Sequence, residues 1–145
     1  MELETADENR MIDAVQLAAQ DAVQDVTPST LASGQAVFDQ LEADATFRST
    51  LAANLDLNAS TLEPNPNTML KVAPQILVEK FIDYSNSTFP TTYTNSTYHI
   101  NYTSSYPITN PSIVLVVQFT MPSYTGDVTP FAIDVPVVQS YQYSS

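Results

Sequence analysis

Apolar residues at the start of the chain recur with the period of an α-helix. Between residues 2 and 26, five of them follow a 3-4-3-4 spacing, which places them on one helical face: Ile12, Val15, Ala19, Ala22 and Val26. Ala18 belongs to the same face. The polar residues Asp13, Gln16, Gln20 and Gln24 lie roughly opposite. Because the apolar face is rich in alanine, we expect another surface to pack closely against one long helix over residues 2–26.

Helical periodicity returns after a break marked by Pro28. The proline biases Thr27 away from the helical backbone conformation, so the first helix should end there. A second helical region is predicted over residues 33–55. Its two apolar stripes do not align: Phe38, Leu41 and Ala45 form one, and Phe47, Leu51 and Leu55 form the other. Asp44 is placed to cap a new helix, so we expect a break near residues 43–46.

From about residue 70 the period changes to that of β-strands. Apolar alternation or short apolar runs occur over residues 76–82, 98–103, 112–121 and 131–137. The segment 112–121 is apolar on both faces, which predicts a central strand. Pro136 lacks a backbone N–H, so the last segment is predicted at a sheet edge or at a bulge.

Helices followed by strands predict the α+β class. We expect a long N-terminal helix and a second helical region packed on an antiparallel sheet of about four strands. The 145 residues suit one domain, with a helical part at 1–57, a loop at 58–68 and a β part at 69–145. The loop assignment rests on two prolines and three asparagines within eleven residues.

The chain is strongly acidic, and this restricts its partners. Sixteen Asp and Glu residues against four Lys and Arg residues give a net charge of −12, which repels nucleic acids and anionic membranes. We therefore expect no nucleic-acid partner. The apolar content of 43% argues against a disordered chain, and the lack of cysteine excludes disulfides and thiol catalysis. No apolar segment reaches the roughly 18–20 residues that cross a bilayer.

The sequence offers no candidate catalytic or metal-binding residue. His99 is the only histidine and has no cysteine or carboxylate cluster near it in the sequence. Nucleophile-elbow motifs are missing, and two glycines are too few to build a phosphate-binding loop. Acidic pairs such as Glu42 and Asp44 are predicted on exposed helix surfaces. We therefore expect a protein that is not an enzyme and needs no cofactor.

Residues 84–109 are poor in charge and rich in Tyr, Ser, Thr and Asn. Five of the eight tyrosines lie here, and four of them form a candidate binding surface: Tyr93, Tyr98, Tyr102 and Tyr106. Tyr and Asn are common in adaptable recognition surfaces. Four Asn-x-Ser/Thr sequons, at Asn58, Asn86, Asn95 and Asn101, are candidate glycosylation sites, with polar surface chemistry as the alternative. Either interpretation suits an extracellular surface.

Three segments together resemble a known group of proteins. They are RMIDAVQLAAQDAVQDV (residues 10–26), AVFDQLEADATFRSTLAANLDL (36–57) and VLVVQFTMPSYTGDVTPFAIDVPVVQSY (114–141). Their order resembles the pilin-like proteins of tight-adherence (Tad) pilus systems, the TadE-like group, and more loosely the type IV pilin superfamily. In that group an N-terminal membrane helix continues as an Ala-rich amphipathic helix. A helical insert and a closing hairpin with a proline-marked turn follow, within an extracellular α+β region.

The resemblance implies a non-catalytic structural or accessory pilin-like subunit of a cell-surface filament or of a secretion or pilus assembly. Its partners would be other pilin-like subunits or further copies of itself. The alanine-rich face would pack between subunits, with packing on the chain's own sheet as the alternative. The location would be extracellular or at the cell surface, anchored by a membrane helix preceding Glu2 and removed from this sequence.

A second function remains open from the residues alone. The Tyr-, Asn- and Thr-rich segment 84–106 could make the chain an adhesin-like binding module that recognises carbohydrate or protein.

Overall fold

The structure is a mixed α+β arrangement in which helices precede strands, as predicted. The computed structural model describes residues 2–66, 70–121 and 131–142. The helices are α1 (Glu2–Ala22), α2 (Pro28–Ala32) and α3 (Gln40–Leu55). The strands are β1 (Gln75–Ile82), β2 (Tyr93–Asn95), β3 (Ile100–Tyr102), β4 (Ser112–Met121) and β5 (Phe131–Ser140), with a 3₁₀ turn at Ser96–Tyr98. None of the helices described is long and apolar enough to cross a membrane.

The strands form two separate antiparallel sheets. β4 lies between β1 and β5 in a three-stranded sheet, which confirms its predicted central position. β5 lies at an edge, where Pro136 is tolerated. The expected sheet of about four strands is wrong, because β3 pairs with β2 in a sheet of two strands. The predicted strand 98–103 is shortened because Tyr98 belongs to the 3₁₀ turn and the capping residue His99, with φ of 59°, interrupts the extended backbone.

A helical layer formed by α1 and α3 covers one face of the three-stranded sheet. The buried side of α1 agrees with the predicted helical phase, and Asp13, Gln16, Gln20 and Gln24 are exposed. Met11 and Ala14 are buried as well, so the buried face of α1 is wider than predicted, and Val23 is buried in the turn that follows. From the sheet, this first core cluster receives Ile113, Leu115, Val117, Phe119, Val135 and Val137.

α1 ends at Ala22, four residues before the predicted end at Val26. The backbone at Val26 forms an antiparallel bridge with Phe38 instead of a further helical turn. The N–H of Thr27 donates to the carbonyl of Val37 at 2.9 Å and supports this bridge. Thr27 itself is extended, with ψ of 131°, as expected for a residue that precedes proline.

The expected break near residues 43–46 is wrong, because α3 runs unbroken from Gln40 to Leu55. Asp39 caps this helix by accepting from the N–H of Glu42 at 3.2 Å. The stripe through Leu41 and Ala45 is also wrong, since Leu41 is 88% exposed and Ala45 is exposed. Phe38 lies outside the helix, so it does not set the helical phase. The second predicted stripe, Phe47, Leu51 and Leu55, is confirmed as buried.

Residues 84–109 form a tyrosine layer on the opposite face of the three-stranded sheet. Ile100 and Ile108 pack there with Val114 and Val116 of β4 and Ile82 of β1 in a second core cluster. Partly buried rings surround this cluster: Phe89, Tyr93, Tyr98 and Tyr102. This layer explains why both faces of β4 are buried. The proline-marked turn expected in the closing hairpin falls within residues 122–130, outside the described residues.

Asp83 joins the end of β1 to the segment before α3. Its carboxylate is fully buried and accepts from the N–H of Phe38 at 3.0 Å and from the N–H of Ser85 at 2.9 Å. The Ser85 hydroxyl donates to the same carboxylate. Several hydrogen bonds from one short loop and a neighbouring segment offset the cost of burying this charge.

Candidate functional site

The four tyrosines of the candidate binding surface do not share one role. Tyr93, Tyr98 and Tyr102 are partly buried and pack against the second core cluster. Tyr106 is 68% exposed, and its ring lies beside that of Tyr102, with centroids 5.9 Å apart and planes tilted by 57°. A large exposed ring that lies beside a partly buried one presents aromatic surface to solvent. Tyr106 is therefore the tyrosine most available to a ligand.

A groove lies between the tyrosine layer and the edge strand β5. This His99 groove has a volume of about 590 Å³ and is lined by His99, Ile100, Asn101, Tyr102, Tyr106, Pro136 and Val138. Ile100 is only 6% exposed and belongs to the second core cluster, against which Val138 also packs. The floor is thus apolar and held by the core, while the rim carries the polar groups of His99 and Asn101. Sites with an apolar base and a few polar groups are typical of ligand binding.

His99 is the point where the groove meets its neighbours. An adjoining depression of about 350 Å³ is lined by Thr97, Tyr98, His99, Asp134 and Pro136. Another, of about 440 Å³, is lined by Thr94, Ser96, His99, Ile100 and Asn101. His99 is exposed and has φ of 59°, a left-handed conformation that few non-glycine residues adopt. Its side chain is therefore presented to solvent from a tight turn.

The charges around the groove are few. Asp134 lines the adjoining depression, and its carboxylate accepts from the side-chain amide of Gln118 at 3.0 Å. The four basic residues of the chain, Arg10, Arg48, Lys71 and Lys80, are not among the residues that line the groove or the two depressions. This surface therefore does not attract anionic groups.

The predicted sequons occupy different surroundings. Asn58 closes a turn in which its side-chain oxygen accepts from the N–H of Ser60 at 2.8 Å. The amide nitrogen of Asn86, the atom that a glycan would occupy, donates to the carbonyl of Phe81 at 2.7 Å. Asn95 is partly buried on β2, whereas Asn101 is exposed in the His99 groove. Asn58 and Asn101 are thus the sequons most open to modification.

The candidate assembly face on α1 lies inside this chain. Val15, Ala18 and Ala19 are fully buried, Ala22 is 1% exposed, and all four belong to the first core cluster. Ile12 and Val26 are partly buried against the same cluster. The outward surface of α1 instead carries Leu17, which is 43% exposed. A depression of about 500 Å³ lies beside it, lined by Asn9, Arg10, Asp13, Ala14, Leu17 and Asn54.

A carboxyl pair lies between α3 and the edge strand β1. Partial burial, a hydrogen bond with Asp44 and the charge of Asp44 together raise the pKa of Glu79 to about 7, although Arg48 opposes this rise. Arg48 forms an ion pair with Asp44 at 3.1 Å. Sequence analysis placed Asp44 on an exposed surface; the structure places it, partly buried, next to Glu79. Because the hydrogen bond between Glu79 and Asp44 joins α3 to β1, we assign the pair to the helix–sheet packing.

Metal ligation was not predicted from the sequence. Among the described residues, no group of three or more His, Asp or Glu side chains is arranged to hold a metal ion. His99 and the carboxylate residue Asp134 both line one of the adjoining depressions.

Sequence analysis missed several residues of the groove. Ile100 and Pro136 were assigned to strands without a role in binding, and Val138 lay just beyond the predicted last strand. Pro136 and Val138 reach the groove because β5 pairs with β4, which opposes Val116 to Pro136 and Val114 to Val138. No local pattern in the sequence indicates that this strand pairing places Pro136 and Val138 beside His99. The cluster of tyrosines in the sequence did indicate one wall of the groove, which Tyr102 and Tyr106 form.

Comparison with known proteins does not extend this description. No protein-family model, curated protein or solved structure matches the chain.

Proposed function

We propose that this chain is a non-catalytic, pilin-like subunit of a cell-surface filament or of a pilus or secretion assembly. The observation that carries the proposal is the long helix α1 packed through an alanine-rich face on an antiparallel sheet. This order of elements resembles the TadE-like group. An extracellular location and a membrane anchor are part of this proposal, and the acidic charge and the polar, tyrosine-rich surface suit such a location.

In this proposal the contact between subunits uses the outward surface of α1, because the alanine face is already packed within the chain. Leu17 is the exposed apolar residue on that surface, next to the depression between α1 and α3. Arg10 and Asn54 join the two helices there, since the guanidinium of Arg10 donates to the carbonyl of Asn54 at 3.3 Å. This hydrogen bond therefore joins α1 and α3, the two helices that line the depression.

Assembly in the native cell tests this proposal. Leu17→Asp should reduce incorporation into surface filaments or cross-linked complexes without lowering the melting temperature of the purified chain. Leu41→Asp is the matched control, since Leu41 is 88% exposed on α3. Unchanged incorporation of the Leu17 variant would contradict an assembly role for this surface. The native gene gives an independent check: an apolar run of about 20 residues preceding Glu2 supports the membrane anchor, and a cleavable signal peptide with a linker opposes it.

A second function, ligand recognition at the surface, is favoured by the His99 groove. The exposed Tyr106 ring and the core-held floor at Ile100 give it both a contact surface and rigidity. In an adhesion assay with the immobilised chain, Tyr106→Ala should reduce binding to the native target surface, whereas Leu41→Ala should not. Equal binding of both variants would oppose this function.

A further inference from the structure

We propose that the His99 groove binds a neutral carbohydrate. The inference rests on the second proposed function, surface recognition, and adds the chemical class of the ligand. A pyranose ring has an apolar face of C–H groups and a rim of hydroxyls. A groove for it needs an aromatic or apolar surface beside unengaged hydrogen-bonding groups, with little charge.

The aromatic part of the groove is supplied by Tyr102 and Tyr106. Tyr102 is held by packing against the second core cluster, and Tyr106 projects beside it at a centroid distance of 5.9 Å. Tyrosine offers large contact area with little loss of side-chain entropy. The apolar floor at Ile100 and Val138 continues this surface. One face of a sugar ring can therefore lie on the exposed Tyr106 ring and on the Tyr102 ring that the core holds.

The polar part is supplied by Asn101 and His99 on the rim. Both residues are exposed, and their side chains have no hydrogen-bond partner among the residues that the structure describes. An amide offers donors and an acceptor, and a neutral imidazole offers one of each, which matches hydroxyl groups that both donate and accept. Asp134, in the adjoining depression, adds a carboxylate acceptor for a second sugar unit.

Charge distinguishes neutral sugars from anionic ligands. The net charge is −12, and no Lys or Arg side chain is among the residues that line the groove and the two depressions. Phosphate, sulfate and sialic acid would be repelled here and would find no cation to pair with. A neutral glycan avoids this cost.

The shape of the edge strand argues against a peptide added to the sheet. Such a peptide needs a continuous row of free backbone groups on an edge. β5 carries Pro136 in its middle, and proline has no N–H to donate. The volume of about 590 Å³ lies within the roughly 300–1,000 Å³ of small-ligand sites. The occupant inferred is thus one or two sugar units.

Amide NMR spectra of the isotope-labelled 145-residue chain test the inference. The neutral probes are lactose, maltohexaose, cellohexaose and mannohexaose. Sialyllactose is the anionic counterpart of lactose, and a Ser/Thr-rich peptide represents a protein ligand. We expect at least one neutral sugar to shift the amides of Asn101, Tyr102 and Val138. Its dissociation constant should be about 0.1–1 mM, because an open site forms few contacts.

Variants assign the binding to the groove. Asn101→Ala should weaken it about tenfold through the lost hydrogen bonds, and Tyr106→Ala about threefold to tenfold through the lost ring. Tyr106→Phe keeps the ring and should stay close to the wild type. Asn9→Ala, an exposed asparagine on α1, is the matched control and should bind as the wild type does. Amide spectra show whether each variant is folded. If Tyr106→Ala does not fold, Asn101→Ala still tests the groove.

The outcomes separate the ligand class from the function beneath it. Groove shifts with sialyllactose or the peptide, and none with neutral sugars, would overturn the carbohydrate inference and leave surface recognition standing. No groove shift with any probe would also overturn it; the Tyr106-dependent adhesion assay then decides surface recognition. A glycan attached to Asn101 in the native protein, seen by mass spectrometry, would fill the groove and would likewise overturn the inference.

Discussion

The two faces of β4 are both buried, but different kinds of structure bury them. On one face, α1 and α3 supply regular helices whose alanines and aliphatic residues lie close to Leu115 and Val117. On the other face, the tyrosine layer supplies short strands and turns that cover Val114 and Val116 with larger rings. Helix packing leaves a continuous core, whereas the turns leave a groove at the edge of the layer. The helical core and the proposed recognition groove thus lie on opposite sides of one strand.

The difference follows from the physical chemistry of the two layers. A helix satisfies its own backbone hydrogen bonds, so it can lie flat on a sheet with only side chains between them. The tyrosine layer has few regular backbone ladders: β2 pairs with β3 over three residues, and one further bridge joins Thr91 to Ile108. Its remaining polar groups must face water or other partners. Polar groups and aromatic rings therefore meet at the surface of this layer.

The largest effect should come from placing a charge on the helical side of β4. Val117 is fully buried, so Val117→Asp would leave a carboxylate without a partner in the first core cluster. We expect a loss of about 4 kcal/mol or more in the free energy of unfolding, comparable with the roughly 5–15 kcal/mol of a whole domain. Urea unfolding measures this loss. The control is Val72→Asp, because Val72 is 49% exposed. A melting temperature within a degree or two of the wild type would show that this face is not core.

Overpacking the alanine face should have the next largest effect. Ala19 is fully buried, whereas Gln20 is exposed one position further on. Ala19→Leu should cost about 1–3 kcal/mol, because the added carbon atoms meet α3 or the sheet. Gln20→Leu should change the free energy of unfolding by less than about 0.5 kcal/mol. If Gln20→Leu were the more destabilising of the two, the helical layer would be oriented differently from the structure.

The carboxyl pair makes the helical side sensitive to pH. The pKa of Glu79 is raised from 4.5 to about 7, so the folded protein favours the protonated carboxyl. Its contribution to stability is fully present below pH 4.5 and is lost as the pH rises through about 7. After allowance for solvent screening, Glu79→Gln should raise the free energy of unfolding at pH 8 by about 1 kcal/mol relative to the wild type, and by much less at pH 4.5.

Unfolding curves at the two pH values measure this difference. Glu63→Gln removes the same charge from an exposed loop position and serves as the control, which should keep the pH dependence of the wild type. Parallel curves for wild type and Glu79→Gln across this range would show that the pair does not share a proton.

The smallest effect on stability should come from the ring that is most exposed on the tyrosine side. Tyr106 is 68% exposed, so Tyr106→Ala should lower the free energy of unfolding by no more than about 0.5 kcal/mol. Tyr102→Ala should cost more, since that ring packs on the second core cluster. Thermal melting of both variants checks the order. A reversed order would mean that Tyr106 stabilises the layer and is not free for a ligand.

The sequence by itself determined the phase of α1, the buried stripe of α3 and the central position of β4. Each of these depends on periodicity, and the period of a helix or strand is set by local backbone geometry. Placing Pro136 on an edge strand was correct for the same reason, since a missing N–H is a property of one residue. The tyrosine-rich segment likewise indicated a polar surface.

Only the tertiary structure decided the features that join distant positions. The bridge between Val26 and Phe38 ended α1 early. The folding of residues 84–109 over β4 turned one expected strand into a small second sheet. The His99 groove itself depends on β5, which brings Pro136 and Val138 beside His99 from more than thirty positions along the chain. Contacts of this kind depend on the packing of whole layers, because no local backbone preference encodes which distant residues will meet.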